Sequence, residues 1–330
     1  MLILRGRVET NKLQASLAGR AQILVVLTGS GALVGYTGSW YWFAELFSHF
    51  FIQYWVASLL AIIVLLWAGD KRWGAASVAL LFVLSFTLAP YYLHAHTVEA
   101  SAGKPNLRLF QFNAAQNPAR VFDWLEQHAG QVDVVILLEA NSDFQAGIDR
   151  IKAQFPYALT QLQDGPFGIA LLSKYPLADT EVLDLVGEAF PALAATVAVP
   201  GWATPLQVYA IHPPPPVSSD LAELRNQYMK KLAAMAAARG SAPIIVAGDL
   251  NVTPWSPWFR DFIRTSQMHD SQRGLGLLAT WPAATAQYSS FLGIPIDACL
   301  HSDKLQVATR ALGPEIDSDH LPVITELRLR

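Results

Sequence analysis

Apolar and polar positions divide this chain into two unlike parts. Before residue 95, apolar residues run almost unbroken in three stretches. Ala21 to about Tyr41 is diluted by Thr28, Gly29, Ser30, Gly31 and Gly35, whereas Phe51–Ala68 and Trp73–Leu93 carry no charge. Each approaches the roughly 20 residues that a helix needs to cross a bilayer. Aromatics crowd their ends (Trp40, Tyr41, Trp42, Phe43, Tyr54, Trp55, Trp67, Trp73, Tyr91, Tyr92), as expected at membrane–water boundaries. The pattern predicts about three transmembrane helices, near 21–41, 51–68 and 73–93, in a membrane region of residues 1–94. Length and lack of charge weigh against buried helices of a soluble protein, and the late, repeated apolar stretches against a cleaved signal peptide.

Lys and Arg set the expected orientation. Arg5, Arg7, Lys12 and Arg20 precede the first span, and Lys71 and Arg72 separate the second from the third. The Glu45–His49 interval has neither. The positive-inside rule then places the N-terminus in the cytoplasm and everything after the third span outside, the topology of a multi-pass membrane protein.

Residues 95–105 read as a polar linker, and residues 106–330 as a second domain. Nearby His94 and His96 could bind metal, although histidines at a membrane exit are more often interfacial. Beyond the linker, short apolar runs predict strands over Leu107–Asn113, Val132–Leu138, Phe167–Lys174, Ala192–Val199, Leu206–Ile211, Ala242–Asp249, Pro295–Leu300 and Leu321–Leu329. Helices are expected from Asn117-Pro118 to about His128, over Asp143–Gln154 and Asp220–Ala238, and from Pro254 to about Gln267. After His212, Pro213–Pro216 makes a stiff extended arm that cannot continue a ladder.

The run Ala242–Ala247 stops at Gly248 and presents Asp249 and Asn251. Strand period places these two on one side with Leu250 opposite. Such a pair can bind a hard cation or set a water against a phosphate; it is also ordinary turn chemistry. The placement recurs. Asn113, Glu139, His212, Asp249 with Asn251, and Asp319 with His320 lie at strand ends or directly before a strand, and Asp297 within one. Carboxylates, carboxamides and imidazoles on so many strand ends suggest one convergent pocket.

Composition adds three constraints. The chain is 52% hydrophobic with a mean hydropathy of +0.29, consistent with membrane segments. Residues 101–330 hold 17 Lys and Arg against 22 Asp and Glu, a formal −5, so they lack the basic footprint of a dedicated nucleic-acid binder. The single cysteine, Cys299, excludes an intramolecular disulfide, and with no histidines in ligand spacing it disfavours zinc.

Taken in order, Asn113, Leu138-Glu139, Gly168–Tyr175 (GIALLSKY), His212, Gly248–Asn251 (GDLN), Thr280-Trp281-Pro282, Ile296-Asp297 and Ser318-Asp319-His320 resemble the endonuclease/exonuclease/phosphatase superfamily. The membrane-anchored bacterial members, with the His-Pro arm and Thr253–Pro257, are most similar. The resemblance covers about residues 106–330. It implies an α/β (α+β) four-layer sandwich, two mixed β-sheets flanked by helices, and divalent-metal-dependent phosphoester hydrolysis by in-line water attack. It implies metal ligation by Glu139 supported by Asn113, with Asp319 a second-metal ligand or water partner. Asp249 would orient or deprotonate the water and Asn251 hold phosphate or water. His320, oriented by Asp297, would contact phosphate, and His212 would stabilise the phosphorus centre or leaving oxygen. Mg2+ (or Mn2+) suits this oxygen-rich set.

Two positions depart from the pattern of DNA-cleaving members. Ala115 stands where these often carry a carboxylate, and Asn141 where some carry a basic residue, which weakens the case for a second metal and for nuclease activity. The expectation is a membrane-anchored phosphodiesterase whose partners are the lipid bilayer and a phosphodiester, either a phospholipid headgroup or nucleic acid; no protein partner is predicted. Trp255, Trp258, Phe259 and Trp281 could touch lipid or stack on a base, though packing is their commoner use. The alternative is a catalytically inactive binding or sensing module on the same fold.

Overall fold

A computed structural model describes residues 2–93 and 106–330, with side chains from Lys12 onward. The expected linker and the pair His94 and His96 lie outside the described residues. The chain divides into two compact units, Met1–Pro90 with Trp255–Pro257, and Tyr91–Pro254 with Trp258–Arg330.

The first unit is helical: α1 Leu2–Tyr36, α2 Trp42–Leu46, a 3-10 turn over Phe47–Phe50, α3 Phe51–Trp67 and α4 Lys71–Tyr92. Three segments, Lys12–Tyr36, Trp42–Trp67 and Lys71–Tyr92, are long and apolar enough to cross a membrane. The first starts earlier than hydropathy predicts, because the helix formers Leu, Arg, Glu, Lys, Gln and Ala before residue 21 propagate the same helix. Two of its glycines, Gly31 and Gly35, are close-contact positions. A β-carbon on Gly31 would lie 2.7 Å from the Tyr54 hydroxyl oxygen, and one on Gly35 2.8 Å from Ser48 N. Small residues that let backbones approach are the usual substitute for hydrophobic drive between apolar helices. Polar links add to them, with Trp55 Nε1 donating to Ser85 Oγ at 2.8 Å and Ser77 Oγ to the Ser58 carbonyl at 2.9 Å.

In the second unit the order is β1 Leu107–Asn113, α5 Ala119–His128, β2 Val134–Leu138, α6 Phe144–Arg150, β3 Tyr157–Gln161, β4 Ile169–Ser173, β5 Leu177–Asp184, β6 Pro191–Val197 and β7 Leu206–Ile211. There follow α7 Ser219–Ala238, β8 Ile244–Asp249, α8 Pro257–Ser266, β9 His269–Asp270, α9 Ala283–Ala286, β10 Asp297–His301, β11 Leu305–Leu312 and β12 Val323–Leu329. Two six-stranded mixed sheets result, β11-β12-β1-β2-β4-β3 and β5-β6-β7-β8-β10-β9. Each has one parallel pair at its centre, β1/β2 and β7/β8. One apolar layer, including Leu109, Ile136, Leu171, Val208, Ala247 and Leu327, fills the space between the sheets. A second holds α5 and α6 outside the first sheet through Phe122, Leu125, Phe144 and Ile148. A third holds α7 and α8 outside the other sheet through Tyr228, Met229, Leu232, Phe259 and Phe262. This is the four-layer architecture that the family resemblance implies. Central strands covered on both faces are continuously apolar, as Val134–Leu138 shows, every residue of it buried.

The helix expected over Asp143–Gln154 ends at Arg150 and finishes in turns. Strands β3, β5, β9 and β11 carry no strong sequence signal. β5 is an edge strand with six of its eight positions exposed, so it has no apolar face to reveal it.

Candidate active site

The two central parallel pairs place four strand ends together. β1 ends at Asn113, β2 delivers Glu139 one residue beyond Leu138, β7 delivers His212 beyond Ile211, and β8 ends at Asp249. The antiparallel neighbours run the other way, so their beginnings meet the same end. Asp297 opens β10 opposite Asp249, and the Asp319-His320 turn precedes β12, whose Val323 faces Gln111.

The side chains converge. Asn113 Nδ2 lies 3.1 Å from Glu139 Oε1, 3.4 Å from Asp249 Oδ2 and 3.5 Å from His320 Nε2. Asp249 Oδ2 is 3.6 Å from His212 Nε2 and 3.7 Å from His320 Nε2. His320 Nδ1 donates to Asp297 Oδ2 at 2.9 Å. Asp249, Asp297 and His320 are all buried, and their ligand atoms lie within 4.8 Å of one another. Because His320 Nδ1 is spent on Asp297, this trio reads as a carboxylate–imidazole–carboxylate relay before it reads as a ligand set.

Charge in this cluster is strongly shifted. Burial alone would lower His320, but the Asp297 carboxylate beside it, with Asp249 and Asp319, pushes it up to about 10. Burial alone would raise Asp249, but the His212 and His320 imidazoles outweigh it and hold the carboxyl below its ordinary value. Burial raises Glu139, only partly offset by His212 and Asn113. Among the described residues no Lys or Arg pairs with Glu139. A partly buried carboxylate short of positive charge, beside a carboxamide and Asp319, is a donor set that fits a hard divalent cation.

Local backbone chemistry fixes these groups. Glu139 has φ 55°, a left-handed conformation rare outside glycine, and strain of that kind tends to collect at functional sites. Gly168 lets the neighbouring strand approach: Ala140 N donates to its carbonyl at 2.9 Å, and a β-carbon there would sit 2.0 Å from Ala140 O. Ser318 Oγ donates to the Asn113 carbonyl at 2.7 Å and accepts from His320 N at 3.0 Å, tying the His320 turn to the end of β1.

Two expected placements differ, those of Asn251 and Asp297. Asp249 and Asn251 do not share a strand face. The strand stops at Asp249, whose Oδ1 accepts from Asn251 N at 2.8 Å, and Asn251 turns to φ 52°. Asn251 Nδ2 then donates to the Pro213 carbonyl at 3.0 Å, tying the proline arm after His212 to Asp249. Asp319 is exposed at the rim and accepts from Trp281 Nε1 at 3.0 Å. Asp297 is the first residue of its strand, with its N donating to Thr280 Oγ1 at 3.3 Å. Trp255 and Phe259 are buried, leaving Trp281 the most exposed of the four aromatics singled out in sequence.

Sequence reasoning missed Arg310. It is buried on β11 and donates to the Asp297 carbonyl at 2.9 Å and to Ser271 Oγ at 2.7 Å. No motif surrounds it, so only the packing around β10 reveals it.

Residues 106–320 match the family model described as Endonuclease/Exonuclease/phosphatase family. No curated protein matches significantly. Among solved structures, an endonuclease/exonuclease/phosphatase from Beutenbergia cavernae is similar at 21% identity and TM-score 0.54, covering 68% of this chain and 72% of its own. A humanized D. rerio TDP2 carrying 14 mutations aligns at 16% identity and TM-score 0.54, over 68% and 99%. The human Nocturnin catalytic domain with bound sulfate aligns at 17% and TM-score 0.51, over 69% and 96%. At these identities the likeness concerns the fold.

Proposed function

The chain belongs to the endonuclease/exonuclease/phosphatase family, and from that premise we propose that it is a membrane-anchored, Mg2+-dependent phosphodiesterase. The observation that carries this reading is the meeting of Asn113, Glu139, His212, Asp249, Asp297 and His320 at one end of both sheets.

Glu139, with Asp319 at the rim, supplies the oxygen donors that would hold the cation, and Asn113, whose Nδ2 faces Glu139 Oε1 at 3.1 Å while its Oδ1 accepts from Ala115 N at 3.1 Å, would hold that carboxylate in place. When bound, the cation neutralises charge on a nonbridging phosphoryl oxygen. The remaining work falls to side chains. Asp249 orients water for in-line attack and accepts its proton as the new O–P bond forms. His320, kept protonated and aimed by Asp297, donates to a phosphoryl oxygen. His212, whose Nε2 lies 3.6 Å from Asp249 Oδ2, donates to the leaving oxygen as its bond to phosphorus breaks. Asn251 serves by holding the His212-Pro213 arm against the Asp249 turn.

Three helices able to cross a membrane support anchoring. The distribution of Lys and Arg supports a cytoplasmic N-terminus and an extracytoplasmic active site. Full-length protein in detergent micelles should release nitrophenol from bis-p-nitrophenyl phosphate with Mg2+. Glu139→Ala should lose about 100-fold or more, the scale of removing a charge-stabilising group. Absence of wild-type hydrolysis would leave a binding module instead, and full retention in Glu139→Ala would remove Glu139 from the reacting groups.

A further inference from the structure

Large exposed hydrophobic side chains in residues 106–330 are concentrated. Four of the eight, Trp281, Tyr288, Phe291 and Leu292, fall within one twelve-residue segment. Tyr288 is 79% exposed, Leu292 55% and Phe291 46%. A single exposed leucine is unremarkable, but an apolar cluster on one segment marks a contact surface.

The segment is built to hold its shape. Trp281 and Ile294 exchange backbone hydrogen bonds at 3.2 and 2.7 Å, and Thr285 Oγ1 donates to the Leu292 carbonyl at 2.6 Å. Beneath it, Ala279, Ala283, Ala286 and Leu321 form a small buried cluster. It is also joined to the reacting groups. Ala283 N donates to the Asp319 carbonyl at 2.7 Å, Leu321 N to the Thr280 carbonyl at 2.8 Å, and Trp281 Nε1 to Asp319 Oδ2 at 3.0 Å. An apolar platform therefore adjoins the turn that carries Asp319 and His320.

Its charge selects the occupant. From Trp281 to Ile296 there is no Lys, Arg, Asp or Glu, and residues 101–330 carry a formal −5. A polyanion gains most of its affinity from Lys and Arg at its phosphates, and this platform offers none. The chain meanwhile carries helices long and apolar enough to cross a bilayer, so lipid is the apolar phase at hand. We propose that Tyr288, Phe291 and Leu292 seat in the lipid interface and that the substrate is a membrane lipid whose phosphodiester enters the site beside them. This rests on the phosphodiesterase reading for its substrate clause, though not for its contact clause.

Two measurements on full-length protein in phosphatidylcholine vesicles test it. Cys299 is buried, so an introduced surface thiol is the one that labels. An environment-sensitive fluorophore on Leu292→Cys should be quenched by spin-labelled lipid several-fold more than one on Asp303→Cys, at the opposite end of β10 from Asp297. Equal quenching overturns the contact, whatever the enzyme does. The triple variant Tyr288→Ser, Phe291→Ser, Leu292→Ser should lose at least tenfold on a long-chain phosphodiester lipid while hydrolysing bis-p-nitrophenyl phosphate like wild type. Equal loss on both esters, no loss on either, or a loss confined to single-stranded DNA overturns the lipid assignment; the last would make the segment a base-stacking platform. Wild type that hydrolyses neither ester defeats the enzymatic reading, and the quenching result then stands alone.

Discussion

Replacing Gly248 by alanine tests the geometry that brings His212 and Asp249 together. Gly248 pairs with Ile211 on β7 and Ala298 on β10, directly beside His212, Asp249 and Asp297. Its φ is 149°, and a β-carbon would sit 1.9 Å from the Ile211 carbonyl oxygen and 3.0 Å from its carbon. Neither atom belongs to a flexible side chain, so the strands must part by about 1 Å or more to reach ordinary contact. Overpacking costs about 1–3 kcal/mol, and a backbone conformation unsuited to an L-residue about 1–2 kcal/mol more. Together these take about 2–5 kcal/mol from a total stability of order 5–15 kcal/mol, which should lower Tm by about 5–15 °C. Activity should fall further than stability requires, because a displacement of about 1 Å in a reacting group costs on the order of 100-fold. The assay is thermal denaturation beside bis-p-nitrophenyl phosphate turnover, measured well below Tm. Gly130→Ala is the control, since a β-carbon added there would meet nothing within 4 Å. Wild-type turnover and Tm in Gly248→Ala would refute the claim that this close approach sets the site.

Other expectations follow from groups away from that strand pair. Burial lowers His301 to about 4, and its Nδ1–H donates to the Ser302 carbonyl at 2.9 Å. The unfolded chain then binds the extra proton between about pH 6.5 and 4, so stability falls as pH drops through that window, by up to about 3 kcal/mol. His301→Phe should flatten that part of a Tm-against-pH curve, and an unchanged slope would refute the assignment. Arg310→Met removes hydrogen bonds to Ser271 and Asp297 and leaves Asp270, whose carboxyl burial already raises, without Arg310's charge. A loss of about 3–5 kcal/mol in denaturant unfolding is expected, and one under about 1 kcal/mol would contradict it. Mg2+ at about 100 times its Kd should stabilise wild type by about 2.7 kcal/mol. That gain should vanish in Glu139→Ala, and its persistence there would move the cation elsewhere.

The apolar spans, the central strands and the polar residues at their ends are legible in the sequence because each rests on local rules. Roughly twenty uncharged positions cannot be solvated cheaply, and a strand buried on both faces must be apolar throughout, as Val134–Leu138 is. Edge strands such as β5 leave no such trace, since their exposed positions accept any residue. Only the tertiary structure decided how the polar ends share their work. That Asn251 grips the proline arm, that Asp319 pairs with Trp281, and that Arg310 supports Asp297 all depend on which strands lie side by side. Strand order and register are set by packing across the whole domain, and that information is spread over residues too far apart in sequence for any local pattern to carry.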